Sequence, residues 1–305
     1  MDNVTSEFLL WEFSKNWELV LLLILYSTTI TGNIFIITAV IFDTHLHTPM
    51  YFFLMNLAMQ DIGLVSAIVP KAVFNSIINI RTISHSGCVA QVMFFFFFMT
   101  CDVSLLTLMG YDRYIAICNP LHYEMIMNRK TCTKMIGGVW TASLLNASLH
   151  TIFTFMTPFC SNIIDQFYCE IPYLLKIACP GLYVSETGVI IFSSILTLGC
   201  FIFVLVTYVH VFSSVLRIPS VQGRKKAFTT CLPHLVVFSI FMFTGCFAYL
   251  KSISDSPTHL NFIITIMYSI IPSMMNPFIY CMRNKDIKVA FSRLFDQMSF
   301  HFFKV

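Results

Sequence analysis

Seven long, continuously apolar runs dominate this chain, at residues 19–42, 49–73, 89–114, 134–157, 187–212, 228–250 and 259–281. Each meets the ~20 residues a helix needs to cross ~30 Å of hydrocarbon at ~1.5 Å per residue. In lipid, only helices and closed barrels satisfy every backbone polar group. Barrel strands would alternate over short segments, and these runs do not. The expected fold is an all-α membrane protein, a seven-transmembrane helix bundle forming one domain over residues 1–305. Charged residues make up 11% of the chain and apolar residues 57%, where a soluble domain carries about 25% charge. That composition excludes a soluble enzyme, a nucleic-acid binder and a disordered chain. The net charge of +3 is too small to point to a polyanionic partner.

Orientation follows from the basic residues between the runs. One side collects Arg113, Arg129, Lys130 and Lys134, then Arg217, Arg224, Lys225 and Lys226, then Arg283, Lys285, Lys288, Arg293 and Lys304. The other side holds only Lys15, Lys71, Arg81, Lys176 and Lys251. The richer side should be cytoplasmic. Residues 1–18 are then extracellular and 282–305 form a cytoplasmic tail, as an odd number of spans requires. The first run follows a polar, acidic segment, so it does not read as a signal peptide. The sequon Asn3-Val4-Thr5 falls on the expected outer side and marks Asn3 as a glycosylation site. A second sequon, Asn146-Ala147-Ser148, lies inside the fourth run and reads as a buried polar residue.

Of 11 cysteines, Cys88, Cys160, Cys169 and Cys179 lie at or beyond the outer edge, in an oxidising compartment. Four cysteines allow three pairings. Cys88–Cys169 with Cys160–Cys179 would pin the long loop between runs four and five across the outer mouth. Cys88–Cys179 with Cys160–Cys169 remains open on the residues alone. No His/Cys set has zinc spacing, so no metal–thiolate site is expected.

Ionisable groups inside a span are functional candidates, because leaving one unpaired costs several kcal/mol. Asp61 and Asp102 lie deep in runs two and three. Two carboxylates with hydroxyls such as Ser104 or Ser273 suit a small hard cation. The bland reading is a protonated carboxyl bonded to Asn33 or Asn276. A third is an intramembrane aspartyl protease, which would also use paired Asp residues but lacks glycine-rich context here. Pro277, after Asn276, predicts a kink near the inner end of run seven. At the inner end of run three, Asp112-Arg113-Tyr114 places a charged pair where its release could act as a switch. The run Phe94 to Phe98 reads as bulk apolar filling.

Taken in order, these pieces resemble a rhodopsin-like G-protein-coupled receptor, and more closely the vertebrate odorant receptors. The resemblance rests on five segments: Gly32-Asn33; the stretch Leu46 to Leu54 (LHTPMYFFL); Met109 to Cys118 (MGYDRYIAIC) with Pro120-Leu121-His122-Tyr123; Lys226 to Leu235 (KAFTTCLPHL); and Pro272 to Tyr280 (PSMMNPFIY) running into Arg283-Asn284-Lys285-Asp286. It covers almost the whole chain. It implies that Arg113, released from Asp112, meets a G-protein α-subunit, and that Tyr208 and Tyr280 rearrange around it. Tyr114, Asn276 and Pro277 complete the implied switch. Asp61 and Asp102 match positions associated with a structural sodium ion, and the family's disulfide supports Cys88–Cys169. No other cofactor is implied. The implied output is cAMP through a stimulatory heterotrimeric G protein, from the plasma membrane of olfactory cilia.

The chain also departs from the family. Gly110 replaces the usual alanine, Met242 in Phe241-Met242-Phe243-Thr244 replaces a tyrosine, and Gln166 replaces a histidine before Phe167-Tyr168-Cys169. Position within such a bundle implies a ligand cavity in its outer half. Its walls would be Phe95, Phe96, Met99 and Thr100 from run three and Phe192, Ser193 and Leu196 from run five. Met242, Gly245 and Tyr249 would come from run six, and Ile266 and Ser269 from run seven. That set has few hydroxyls and no ionised group high in the cavity, so the expected ligand is a small, neutral, mostly apolar volatile. A non-olfactory small-molecule receptor of the same class is the nearest alternative. A transporter is disfavoured because seven spans do not halve into repeats.

Overall fold

A computed structural model describes residues 7–11, 16–181, 184–217, 220–251 and 258–283, with positions 287, 289 and 292 beyond them. Its long helices are α1 (Asn16–Phe42), α2 (Pro49–Ile77), α3 (His85–Cys118), α5 (Arg129–Met156), α7 (Val184–Leu216) and α8 (Val221–Lys251), with the pair α9 (Thr258–Ser269) and α10 (Ile271–Arg283). Short helices α4 (Tyr123–Ile126) and α6 (Ile171–Ile177) lie in the connections. Each apolar run falls on one of these helices or on the α9/α10 pair. Most of the helices extend a turn or more beyond the run, because a helix continues into the boundary until a cap stops it. Ser84 accepts from the Gly87 N–H to start α3, and Asn128 accepts from Thr131 to start α5. Pro49 occupies the first turn of α2, where its missing N–H costs nothing.

Among the described residues, α1, α2, α3 and α7 are each long and apolar enough to cross a bilayer, and α9 with α10 passes as one span bent by 43°. α5 and α8 have 28 and 31 residues, with His234–Cys246 the apolar part of α8. α3 is central and packs against α2, α5, α7 and α8. The sharp break in run seven falls at Ile270, beside Pro272, and not at the Asn276-Pro277 position expected from sequence. Pro277 sits inside continuous helix α10. The reason lies in a neighbour. Pro277 cannot donate to the Ser273 carbonyl four residues back, and Asn33 Nδ2 of α1 donates to that carbonyl instead, at 3.2 Å.

One feature of the fold has no counterpart in the apolar pattern. Glu7–Leu10 forms a strand, β1, between β2 (Thr82–Ser84) and β3 (Ile163–Ile164). β1 runs antiparallel to β2, with Phe8 opposite Ile83, and parallel to β3, with Leu9 opposite Ile163. This small sheet caps the end of the bundle that carries the disulfides. Phe8 is fully buried beneath it, edge-on to Phe159 at 5.4 Å.

Candidate functional site

The two ends of the bundle carry different chemistry. At the end of α3 nearer α4, Asp112 is buried. Tyr123 Oη donates to its Oδ1 at 2.8 Å, and Arg113 Nε stands 3.9 Å from its Oδ2. Burial, then the nearby Asp112 carboxylate, push the Tyr123 phenol above its ordinary range, so it stays a donor. Arg113 Nη2 is buried without a partner among the described residues. Tyr208 points to His234: its Oη lies 2.9 Å from Nδ1, and the His234 Nε2 lies 2.6 Å from the Leu106 carbonyl. His234 thus ties α8 to both α7 and α3. Gly110 lies alongside, where an added Cβ would stand 3.4 Å from His234 Cε1, an ordinary contact. Tyr114 meets His210 edge-on at 6.2 Å. The Tyr280 side chain and Asn3 lie outside the described residues.

Midway along the bundle, Asn276 Nδ2 donates to Asp61 Oδ2 at 2.8 Å. Asp102 is buried with Oδ1 lacking any partner among the described residues. An orphaned carboxylate oxygen near a second acid fits a cation or a shared proton. Ser104 cannot join it readily, since two residues along a helix turn a side chain to the opposite face.

At the disulfide end, the cysteines pair as Cys88–Cys169, with Cα atoms 5.4 Å apart, and Cys160–Cys179, at 4.9 Å. The first draws the chain after β3 down onto α3. There Gln91 Oε1 accepts from the Cys169 N–H at 3.0 Å. Tyr168 is buried against Phe95, with ring centroids 5.4 Å apart. Tyr168 Oη lies 2.9 Å from Tyr268 Oη, and Tyr268 in turn donates to Glu170. Gln166 Nε2 reaches Thr265 at 2.6 Å and Glu170 at 3.4 Å. Burial raises the Glu170 carboxyl, hydrogen bonds from Tyr268, Tyr168 and Gln166 oppose it, and the net effect leaves it pushed up to about 7. Gln166, in place of a histidine, is therefore an anchor of the loop to α9.

The expected cavity walls fall into three groups. Phe95, Phe96 and Ile266 are buried in one apolar cluster beneath the loop, with Met99 and Ser269 beside it. Met242 is buried in a second cluster toward the other end, and Gly245 is half-buried. Phe192 and Leu196 are 55% and 53% exposed, so the structure does not place them in a packed wall. Glu186, seven residues before Ser193 on the same helix, is by contrast fully buried. The Tyr249 side chain lies outside the described residues. Nor is this end free of ionisable groups: Glu170, Glu186 and His150 are all buried there. The phenylalanine run is not mere filling. Phe95 faces Tyr168, Phe96 lies over His150 at 4.4 Å, and Phe98 occupies the space a side chain at Gly63 would need.

The sequence reading missed the groups that organise this end: Tyr268, Glu170, His150 and Glu186. Like Asp61 and Asp102, His150 and His234 are ionisable residues within apolar runs, the fourth and the sixth. Glu186 stands one residue outside run five, where an acid carries no signal of burial. Asn146 was legible as a buried polar residue, and its side chain bonds Thr100 and Ser193, away from any glycan.

A bundle of long apolar helices, stapled at one end and carrying a charged helix terminus at the other, defines a multi-pass membrane protein. Comparison with known proteins resolves which kind. The family model described as "Olfactory receptor" matches residues 22–298. Olfactory receptor 14A16 of Homo sapiens is 44% identical over 297 residues, covering 95% of this chain and 96% of that one. Olfactory receptor 14L1 of Homo sapiens is 42% identical, covering 94% and 90%. Olfactory receptor 1E16 of Mus musculus is 41% identical, covering 90% and 88%. The chain belongs to the olfactory receptor family, whose members are G-protein-coupled receptors for odorants and not enzymes.

Proposed function

We propose that this chain is an odorant receptor with seven spans, its N-terminus outside and residues 282–305 in the cytoplasm. On this reading a small, neutral, mostly apolar volatile binds beneath the disulfide-stapled loop, among α3, α7, α8 and α9. Binding then releases Arg113 to a stimulatory heterotrimeric G protein, and cAMP rises. The membrane is the plasma membrane, in cilia of olfactory neurons, with Asn3 glycosylated and a sodium ion near Asp61 and Asp102 in the resting state.

The supporting observation is the state of Arg113. It lies at the end of the central helix beside a buried Asp112 that Tyr123 also holds, with one guanidinium nitrogen buried and unpaired among the described residues. A buried donor without a partner is costly, so the arrangement is poised to exchange Asp112 for another acceptor. A neutral ligand is supported by the state of the acids at the other end, since Glu170 and Glu186 are each engaged by side chains of the protein itself. The test is a cAMP reporter in cells with measured surface expression, challenged with a broad panel of volatiles. Wild type should respond and Arg113→Ala should not. A panel in which only charged amines or acids activate would overturn the neutral-ligand reading, and a response that survives Arg113→Ala would overturn the coupling.

A further inference from the structure

A chain of polar side chains crosses three helices just below the stapled loop. Glu186, fully buried in the first turn of α7, places Oε1 2.7 Å from His150 Nδ1 on α5. His150 Nε2 lies 3.0 Å from Ser193 Oγ, seven residues on from Glu186 and on the same face of α7. Ser193 Oγ donates to Asn146 Oδ1 at 2.9 Å, and Asn146 Nδ2 donates to Thr100 Oγ1 on α3 at 3.0 Å. The chain ends beside Met99, one turn along α3 from Phe96, whose ring covers His150.

Its proton count has a direction. The Asn146 amide accepts only at oxygen and donates only at nitrogen. Ser193 has one proton and gives it to Asn146, so it can only accept from His150, and Nε2 carries a hydrogen. One further proton is then shared between His150 Nδ1 and Glu186. Whichever atom holds it, the pair is neutral overall. At the far end Thr100 accepts from Asn146 and keeps its own hydroxyl proton. Thr107 on α3 and Thr207 on α7 spend that proton on the carbonyl four residues back, of Val103 and Phe203 respectively. Among the described residues, no group accepts the Thr100 proton.

Turning the amide over would reverse every bond. Thr100 would donate to Asn146, Ser193 to Nε2, and His150 to an ionised Glu186. That leaves a net negative charge fully buried at Glu186, an arrangement the neutral alternative avoids. The charge balance therefore selects the orientation in which Thr100 accepts from Asn146 and keeps its own hydroxyl proton for another acceptor.

We propose that Glu186, His150, Ser193 and Asn146 are positioning residues that hold Thr100 as a hydrogen-bond donor to the odorant, and that this receptor selects volatiles carrying a carbonyl oxygen. The proposal rests on the reading of this region as the ligand site. It accounts for a specificity that the apolar walls cannot supply, since packing alone does not tell a ketone from an alkene of the same shape.

The probes are linear methyl ketones and the terminal alkenes in which a methylene replaces the carbonyl oxygen, applied in the cAMP assay with surface expression measured. Wild type should prefer the ketone by about tenfold, the ratio one neutral hydrogen bond supplies. Thr100→Val should bring the ketone-to-alkene potency ratio to about one, whereas Thr100→Ser should keep it near the wild-type value. Ser193→Ala frees the amide to turn, so it should also reduce the preference although Ser193 lies one residue removed from Thr100 in the chain of bonds. Equal wild-type potency for both probes, a ketone preference that survives Thr100→Val, or a Ser193→Ala loss shared equally by ketone and alkene would overturn the relay while leaving an odorant receptor. Silence toward every volatile from a surface-expressed receptor would instead overturn the ligand-site reading beneath it.

Discussion

Tyr123 Oη donates to Asp112 Oδ1 at 2.8 Å, whereas the neighbouring Arg113 Nε stands 3.9 Å from the same carboxylate. The short α4 helix therefore restrains the buried acid more closely than its own sequence neighbour does. Tyr123→Phe would leave Asp112 Oδ1 buried and short of a partner, at a cost of about 1–3 kcal/mol. The resting arrangement should weaken, and agonist-free cAMP should rise several-fold at equal surface expression. Basal signal at or below wild type would show that Tyr123 does not hold the resting state.

Glu170 couples the stapled loop to α9 through Tyr268, and its carboxyl is pushed up to about 7 by burial. The ordinary value is 4.5, so the closed loop binds its proton more tightly than an opened one. Closure is then strongest below pH 4.5 and weakens as pH rises through about 7. Hydrogen exchange of the loop amides, Tyr168 to Tyr173, should be slower at pH 6 than the intrinsic rate change with pH explains, and faster than that expectation at pH 8. Glu170→Gln keeps a neutral partner for Tyr268 and should flatten the dependence. A pH dependence that persists in Glu170→Gln would assign it to another group.

Gly32 and Asn33 show why a two-residue motif in α1 matters to the other side of the bundle. A Cβ at Gly32 would lie 2.9 Å from Pro277 Cβ, part of a ring that cannot swing aside. Gly32→Ala should force α1 and α10 apart and draw Asn33 from the Ser273 carbonyl. Overpacking of this kind costs about 1–3 kcal/mol, read as a lower melting temperature of the purified receptor. Gly138→Ala, where an added Cβ meets nothing within 4 Å, is the control that should not be destabilised.

How much of this was readable from sequence depends on the distance over which each feature is encoded. The helices are local: apolar length, Pro49 in a first turn, and Ser84 and Asn128 as caps specify α2, α3 and α5 without reference to neighbours. The disulfide partners were narrowed by which side of the membrane they occupy. The bend falls beside Pro272 and not at Pro277, whose freed Ser273 carbonyl is met by Asn33, 240 residues earlier in the chain and out of reach of any local pattern. Glu170 and Tyr268 are 98 residues apart, and nothing near either one announces the other. β1 is four residues long and pairs with two segments from distant parts of the chain, so its pattern alone could not identify it.

Asp102 and Asp61 set the last expectation. Asp61 is paired with Asn276, but Asp102 Oδ1 is buried with no partner among the described residues. Two acids so placed need either a proton or a cation, and the two answers respond differently to salt. If sodium is bound, a tenfold excess over its Kd stabilises the resting receptor by about 1.4 kcal/mol. The melting temperature should then rise with sodium chloride but not with choline chloride at equal ionic strength. Asp102→Asn removes the charge that draws the ion and should abolish that difference, while also supplying an amide donor to neighbouring carboxylate oxygen. A wild-type receptor equally stable in both salts, across pH values where a carboxyl would ionise, would assign the orphaned oxygen to a proton shared within the acid pair and remove sodium from the resting state.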